Sequence, residues 1–427
     1  MARLLYSLLF YLAMPLVWLR LLWRARRQPE YLQHLGERHG FYTRRQAPGH
    51  RPLIWLHAVS LGETRAAAPL IDALLDARPD HDLLLTHMTP TGRDAGTALF
   101  AGRPERLLQV YLPYDLPDAC GRFLDHFRPR VGLLMETELW PNMISAARKR
   151  QLPVALVNAR LSARSLRGYA RLGSLIRPAL LSLSAVAAQT SADAERLQQI
   201  GARQPSVCGN LKFDVTPAAD GLELGAQWRQ AIGRRPVWLL ASSRAGEEAL
   251  FLDACAAMDV PDLLLLLVPR HPQRFAEVAA LIADRGLAFC RRSATTLPSP
   301  GIKVWLGDSM GEMIAYYALA DLALIGGTLL PFGGQNLIEA ASCGCPLLLG
   351  PHSFNFAQAS DDAVACGAAR RVADARQAAQ VAGELLVQPA QLRAMHSAAL
   401  AFSQAHRGAT ARTVALIERI MGPRKDC

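Results

Sequence analysis

None of the eight cysteines (Cys120, Cys208, Cys255, Cys290, Cys343, Cys345, Cys366 and Cys427) belongs to a CxxC pair. Scattered through 427 residues, they make no disulfide framework; buried free thiols in a reducing compartment are the plain reading. Cys343 and Cys345 form a CxC, but no histidine or second pair stands nearby in sequence, so no metal site is expected. A GxxxxGK[ST] loop is also missing, and no GxGxxG directly follows the first strand of either half of the chain. P-loop chemistry and dinucleotide oxidoreduction are therefore poorly supported. Charge is sparse at 19%, whereas 51% of residues are apolar, which favours large folded cores over long disordered tracts. The charge that is present is unbalanced, at +11. Such a surface attracts anions: nucleic acid, anionic lipid or phosphorylated small molecules. The arginines are dispersed and not interleaved with aromatics, so no nucleic-acid partner is expected.

Residues 4–19 carry no charge, and Arg20, Arg24, Arg26 and Arg27 follow. Sixteen uncharged residues fall short of the ~20 that span a bilayer as a helix. Leu21, Leu22 and Trp23 bring the length close if Arg20 snorkels, and Trp18 and Trp23 suit a membrane interface. A secretory signal would place its positive charges before the apolar run and small residues after it; here the order is reversed. A buried helix of a soluble protein is the bland alternative. The reading adopted is a membrane anchor, spanning or interfacial, with the arginines and the body on the cytoplasmic side. Such an anchor suggests a lipid substrate.

From Pro52 onward, short apolar strands alternate with helices, which means parallel α/β sheets. The expected organisation is an anchor and basic flank (1–39), a Rossmann-like domain (40–212), a polar linker (213–231), a second Rossmann-like domain (232–388) and a C-terminal helical segment (389–427). Two such halves facing a cleft suit a two-substrate transferase, each offering strand ends and helix N-termini to one substrate.

Five places can carry chemistry. In HAVSLGET (57–64), Glu63 stands where a polar loop opens a helix, placed either as a general base for an acceptor hydroxyl or as a helix-capping glutamate. MTPTGRDAG (88–96), with Arg93, reads equally as an anion site or a capped turn. In METELWPN (135–142), Glu136 and Glu138 follow the apolar run VGLL; if the strand continues, both point the same way, and Trp140 offers a surface for a sugar ring. A solvated edge with a core tryptophan is the alternative. VPRHP (268–272) puts Arg270 and His271 at the end of the strand DLLLLLV, where an arginine can hold a phosphate or simply be exposed. Finally, GDSMGEM (307–313) contains Gly311, Glu312 and Met313, and GGTLLPFGGQNLIEA (326–340) contains Asn336 and Glu339. A glycine loop and a glutamate one turn into a helix fit a nucleotide's phosphate and ribose, or a flexible loop with a surface glutamate. The order, acidic residues first and arginine with glycine loop second, matches an acceptor half and a donor half.

HAVSLGETRAA, MTPTG, YLPYDLP, METELWPN, NARLSARS, NLKFD, VPRHPQRF, GDSMGEM and FGGQNLIEA closely resemble, in order over roughly residues 50–360, the 3-deoxy-D-manno-octulosonic acid (Kdo) transferases of Gram-negative bacteria. The resemblance implies a GT-B fold and transfer of Kdo from CMP-Kdo to the lipid A precursor lipid IVA, on the cytoplasmic face of the inner membrane. Glu63 is then the implied base, with inversion at the anomeric carbon. Glu136, in preference to Glu138, is the implied acidic partner. Arg270 is implied at the CMP phosphate, the Gly311–Met313 segment near the nucleotide, and Asn336 and Glu339 at phosphate and ribose. No cofactor or metal is implied beyond the donor itself. Leu330-Pro331-Phe332 departs from the bulkier or charged residues many members carry before the glycines. The basic surface suits the anionic leaflet and a phosphorylated acceptor. Competing readings are a GT-B enzyme using a UDP-sugar and a membrane adaptor with a degenerate transferase body. The sequence does not name an obligate protein partner.

Overall fold

The computed structural model describes residues 1–26, 28–43, 51–294 and 297–422; Arg27 and Cys427 lie outside them. The chain forms two compact units, Met1–Val215 with Arg407–Cys427, and Thr216–His406.

The first unit is built on a seven-stranded sheet. Its strands are β1 (Leu53–His57), β2 (Asp82–His87), β3 (Leu107–Tyr111), β4 (Val131–Met135), β5 (Val154–Ala159), β6 (Ala185–Ala188) and β7 (Ser206–Val207). All pairings are parallel, in the order β3-β2-β1-β4-β5-β6-β7. β1 and β4 are buried along their whole length, because helices cover both faces of a parallel sheet and leave no solvated side. The strand order reverses between β1 and β4, and a crevice opens outside the strand ends at such a point.

The second unit repeats the plan with β8 (Val237–Ser243), β9 (Leu264–Pro269), β10 (Phe289–Arg291), β11 (Val304–Leu306), β12 (Leu322–Ile325), β13 (Leu347–Leu349) and β14 (Ala369–Arg371). The order is β10-β11-β9-β8-β12-β13-β14, again parallel. Here the reversal lies between β8 and β12.

Two stretches fold differently from the pattern reading. The segment 213–231, expected as linker, lies mostly in the helix Ala219–Ile232. Its polar residues face solvent, while Trp228 is buried against Trp305 and Tyr316. The C-terminal segment divides. The helix Pro389–Ala405 belongs to the second unit, and Ala409–Met421 belongs to the first, where Arg78 and Glu418 form a two-pronged ion pair.

The N-terminal helix, Ala2–Ala25, is long and apolar enough to cross a membrane. One face lies on the first unit. Phe10, Met14 and Val17 pack against Tyr114, Leu116 and Ala119, and Trp18 stacks on His39. Ser7 donates to Asn142 Oδ1 at 3.1 Å, and the Tyr11 hydroxyl donates to Asp118. The other face, including Leu4, Leu5, Leu8, Leu12, Leu16 and Leu19, is exposed.

Candidate functional site

In the first unit, β1 ends at His57 and the helix Leu61–Ala77 begins four residues later. Ser60 caps that helix by accepting from the Glu63 N–H. The Glu63 carboxylate reaches back to accept from Val59 N (2.9 Å) and the Ser60 hydroxyl (3.2 Å). Glu63 thus fulfils the capping reading, since each partner satisfies a donor at a helix start. It also does more. Burial, then the nearby charge of Glu136 and to a lesser degree Glu138, push its carboxyl up to about 7 against the opposing bonds from Val59 and Ser60. A structural cap needs no such proximity to two other carboxylates.

Glu136 and Glu138 do not point together along a continuing strand. β4 ends at Met135, and Glu136 sits at φ +54°, a left-handed conformation unusual outside glycine. That turn aims Glu136 into a pair of cations. Arg160 Nε donates at 2.9 Å and Lys212 Nζ at 3.0 Å. Glu136 is only 6% exposed; burial raises its carboxyl, but Lys212 and Arg160 outweigh it, so Glu136 stays below the ordinary glutamate value. Glu138 instead accepts from Trp140 Nε1 at 2.8 Å, and burial with the Glu136 charge raises it. Trp140 packs edge-on against His57 and against the core.

Three other residues matter here that motif reading missed. Lys212 and Arg160 stand in NLKFD and NARLS, but their joint grip on Glu136 is a tertiary fact. Asp115, fully buried, accepts from Asn142 N (3.0 Å) and Met143 N (2.8 Å), fixing the helix that follows ETELWP. Arg93, a candidate anion ligand, is engaged internally with Glu37 (2.9 Å) and the Gln109 carbonyl (3.2 Å), and Thr89 caps the adjoining helix; the capped-turn reading holds.

In the second unit the reversal between β8 and β12 gathers cations. Arg270 follows β9 and donates its backbone N–H to Ser243 O at 3.0 Å. His271 Nε2 lies 3.2 Å from Arg244 Nη1. Partial burial, then Arg244, Arg270 and Arg274, lower the imidazole below its ordinary value. Arg274 is bound by Glu248 (2.6 and 3.0 Å). Arg244, missed in the sequence, stands at the end of β8, where ASSRAGEE offers no recognised pattern.

The loop after β12 is held by one carboxylate. Glu247, fully buried, accepts from Gly327 N (2.6 Å), Arg244 N (2.9 Å) and Leu329 N (3.0 Å). Gly333 and Gly334 have φ of +91° and +82°, and a Cβ on Gly333 would lie 2.4 Å from Phe354. Asn336 caps the helix Leu337–Ser342 through Ile338 N (3.2 Å), with Glu339 in its first turn. After β11, Gly311 turns at φ +86° and Glu312 precedes the helix Met313–Leu319. Glu312 accepts from Arg292 (2.7 Å) and from the Ser309 hydroxyl. The CxC is not poised for chemistry: burial, then the Glu339 charge, raises the Cys343 thiol to about 12.

Two Rossmann-like units, each with polar groups at its topological switch point, define a GT-B glycosyltransferase architecture. A glycosyltransferase structure from Rickettsia africae agrees in fold, with a TM-score of 0.59 at 13% identity, covering 87% of this chain and 98% of that one. A family model for 3-deoxy-D-manno-octulosonic-acid transferase (kdotransferase) matches residues 33–215. The 3-deoxy-D-manno-octulosonic acid transferase of Bordetella pertussis is 48% identical over 99% of this chain and 100% of that protein. The Haemophilus influenzae enzyme of the same name is 36% identical over 83% of this chain and 84% of its own. The chain belongs to the Kdo transferase family.

Proposed function

We propose that the protein transfers Kdo from CMP-Kdo to lipid IVA, in lipopolysaccharide core biosynthesis, with Glu63 as general base and inversion at the anomeric carbon. The sugar follows the family the chain belongs to. The base assignment is carried by the Glu63 carboxylate, partly buried where β1 meets its helix and held by Val59 N and the Ser60 hydroxyl, with burial and the Glu136 charge pushing it up to about 7. A base works best when its pKa lies near the operating pH, and an ordinary capping glutamate would be ionised and too weak. As the C–O bond to the CMP phosphate breaks, CMP leaves with the electron pair and the anomeric carbon becomes cationic. The acceptor's primary hydroxyl attacks from the opposite face and its proton passes to Glu63. Glu136, held ionised by Lys212 and Arg160, keeps the Glu63 pKa high, and so acts on the base electrostatically. Arg270 and His271 would meet the phosphate. Gly311, Glu312, Met313, Asn336 and Glu339 would surround the nucleotide, with Asn336 toward phosphate and Glu339 toward ribose. Cations and helix N-termini stabilise the charge growing on the leaving group. The reaction as written needs no metal or organic cofactor.

The membrane reading rests on the N-terminal helix. Its inner face is bonded to the body through Ser7 and Tyr11, and its outer face is a stripe of exposed leucines followed by Arg20, Arg24 and Arg26. That division suits a helix lying in the plane of the cytoplasmic leaflet of the inner membrane, its arginines meeting anionic headgroups.

Incubation with CMP-Kdo and purified lipid IVA, followed by mass spectrometry, tests the reading. Mass increments of one or more Kdo residues are expected with wild-type protein and none with Glu63→Gln, which should still bind CMP. Near-normal turnover by E63Q would sink the base assignment, and transfer only from UDP-sugars would sink the donor.

A further inference from the structure

We propose that Arg244 is a specificity-determining residue, binding the carboxylate that the transferred sugar carries on its reacting carbon. The inference rests on the donor reading above. A CMP-activated 2-keto sugar acid presents two oxyanions on one carbon, the phosphate and the carboxylate, and the second unit supplies more than one cation at the corresponding place. Arg270 and His271 follow β9, while Arg244 follows the adjacent strand β8.

Arg244 is aimed and held. β8 shifts register against β9 between Ala241 and Ser243, and Ser242 adopts φ +57°. A bulge of this kind re-aims the next side chain. Gly326 fits against the bulge because any Cβ there would lie 2.5 Å from Ser242 O. The Arg244 backbone N–H is fixed by Glu247, which also holds Gly327 and Leu329 of the glycine loop. The Arg244 stem passes over Gly327, its Cγ 3.5 Å from where a Cβ would be. The guanidinium lies 4.8 Å from the centre of the Phe332 ring and within 3.2 Å of His271 Nε2. Arg244 is therefore built into the loop that the donor reading gives to the nucleotide.

Its charge is nevertheless left uncompensated by acid. Neighbouring arginines have carboxylates: Arg274 pairs with Glu248 and Glu277, Arg291 with Asp308, Arg292 with Glu312. Among the described residues no ion pair engages Arg244. Its side-chain partners are the His271 ring and the Phe332 face, which orient the planar fork and leave N–H groups for a planar oxyanion. Carboxylate is the geometry that fork matches bidentately.

The test is Arg244→Gln and Arg244→Lys in the full-length protein, with CMP affinity measured by calorimetry and initial rates measured against CMP-Kdo concentration. For a carboxylate ligand, CMP affinity stays within about twofold, which also shows that the variants fold. The KM for CMP-Kdo rises roughly tenfold to a hundredfold in R244Q, the range for losing a charged hydrogen-bond pair, and R244K recovers part of it. An equal loss of CMP affinity would reassign Arg244 to the phosphate and overturn the carboxylate. An unchanged KM with unchanged CMP affinity would remove Arg244 from donor recognition altogether. Wild-type protein that neither binds CMP nor turns over CMP-Kdo would overturn the donor reading itself, an outcome distinct from the other two.

Discussion

The two units use one plan to opposite electrostatic ends. Each is a parallel sheet whose strand order reverses in the middle, and each places its candidate chemistry just after strands at or next to the reversal. In the first unit those positions hold Glu63, Glu136 and Glu138, and burial together with the like charges drives the Glu63 carboxyl up to about 7. In the second unit the cluster is Arg244, Arg270 and His271, and burial together with the neighbouring cations drives the imidazole down. The backbone scaffold is nearly shared; what distinguishes the two clusters is the sign of three or four side chains. Lys212 and Arg160 pair with Glu136 in the first cluster; beside the second, Arg274 pairs with Glu248.

The comparison breaks most sharply at Glu63. E63Q should lower kcat by about a thousandfold, within the range for a lost general base, while CMP affinity, which the proposed function gives to the other unit, is unmoved. Next come the cations that restrain Glu136. Lys212→Met leaves a buried carboxylate with Arg160 alone and should cost on the order of 2 kcal/mol, less than a fully orphaned buried charge, read by urea denaturation.

Glu136→Gln sharpens the electrostatic claim. It removes the larger of the two like charges on Glu63, so the acidic limb of kcat/KM against pH should fall below the wild-type midpoint of about 7. An unmoved limb would deny the coupling. In the second unit Gly333→Ala forces a side chain at φ +91° against Phe354. A loss of about 1–3 kcal/mol is expected in CMP affinity or in local stability, with Glu63-dependent proton transfer untouched.

A last effect concerns stability and pH. Glu63 is raised in the folded state from 4.5 to about 7, so the unfolded chain loses its proton first. Stability is full below about 4.5, declines as pH rises to about 7, and is constant above. E63Q escapes that decline. Its melting temperature should match wild type near pH 3.5 and exceed it at pH 8.5, by about 1–3 kcal/mol of stability after allowance for partial exposure.

The alternation of strands and helices was legible because fully buried strands such as Leu264–Pro269 are almost purely apolar. Sheet order was not, since it depends on which crossover goes to which side. The positions of Glu63, Arg270 and the glycine loop were legible from strand ends and glycines. Of the two readings of Glu63, general base or helix cap, the structure shows the cap, with its carboxyl raised as well. The turn at Glu136 was hidden, because nothing in METEL announces a left-handed residue. Partnerships across long sequence separations, Glu136 with Lys212 or Glu247 with Gly327, leave no local pattern. Arg244 was missed for a related reason: an arginine between small residues is ordinary until its neighbours in space are known. The helix Ala219–Ile232 was hidden by its polar composition, its burial resting on little more than Gly225 and Trp228.

The docking of the N-terminal helix has a practical corollary. Ser7 bonds to Asn142, whose backbone is held by Asp115 at the head of the helix Pro141–Lys149, five residues beyond Glu136. The helix is thus mortised into the framework that carries Glu136. Trimming it to obtain a more soluble enzyme would uncover Tyr114, Leu116 and Ala119 and trade one adhesive face for another. Purification in detergent with the helix retained is the route that preserves the working part.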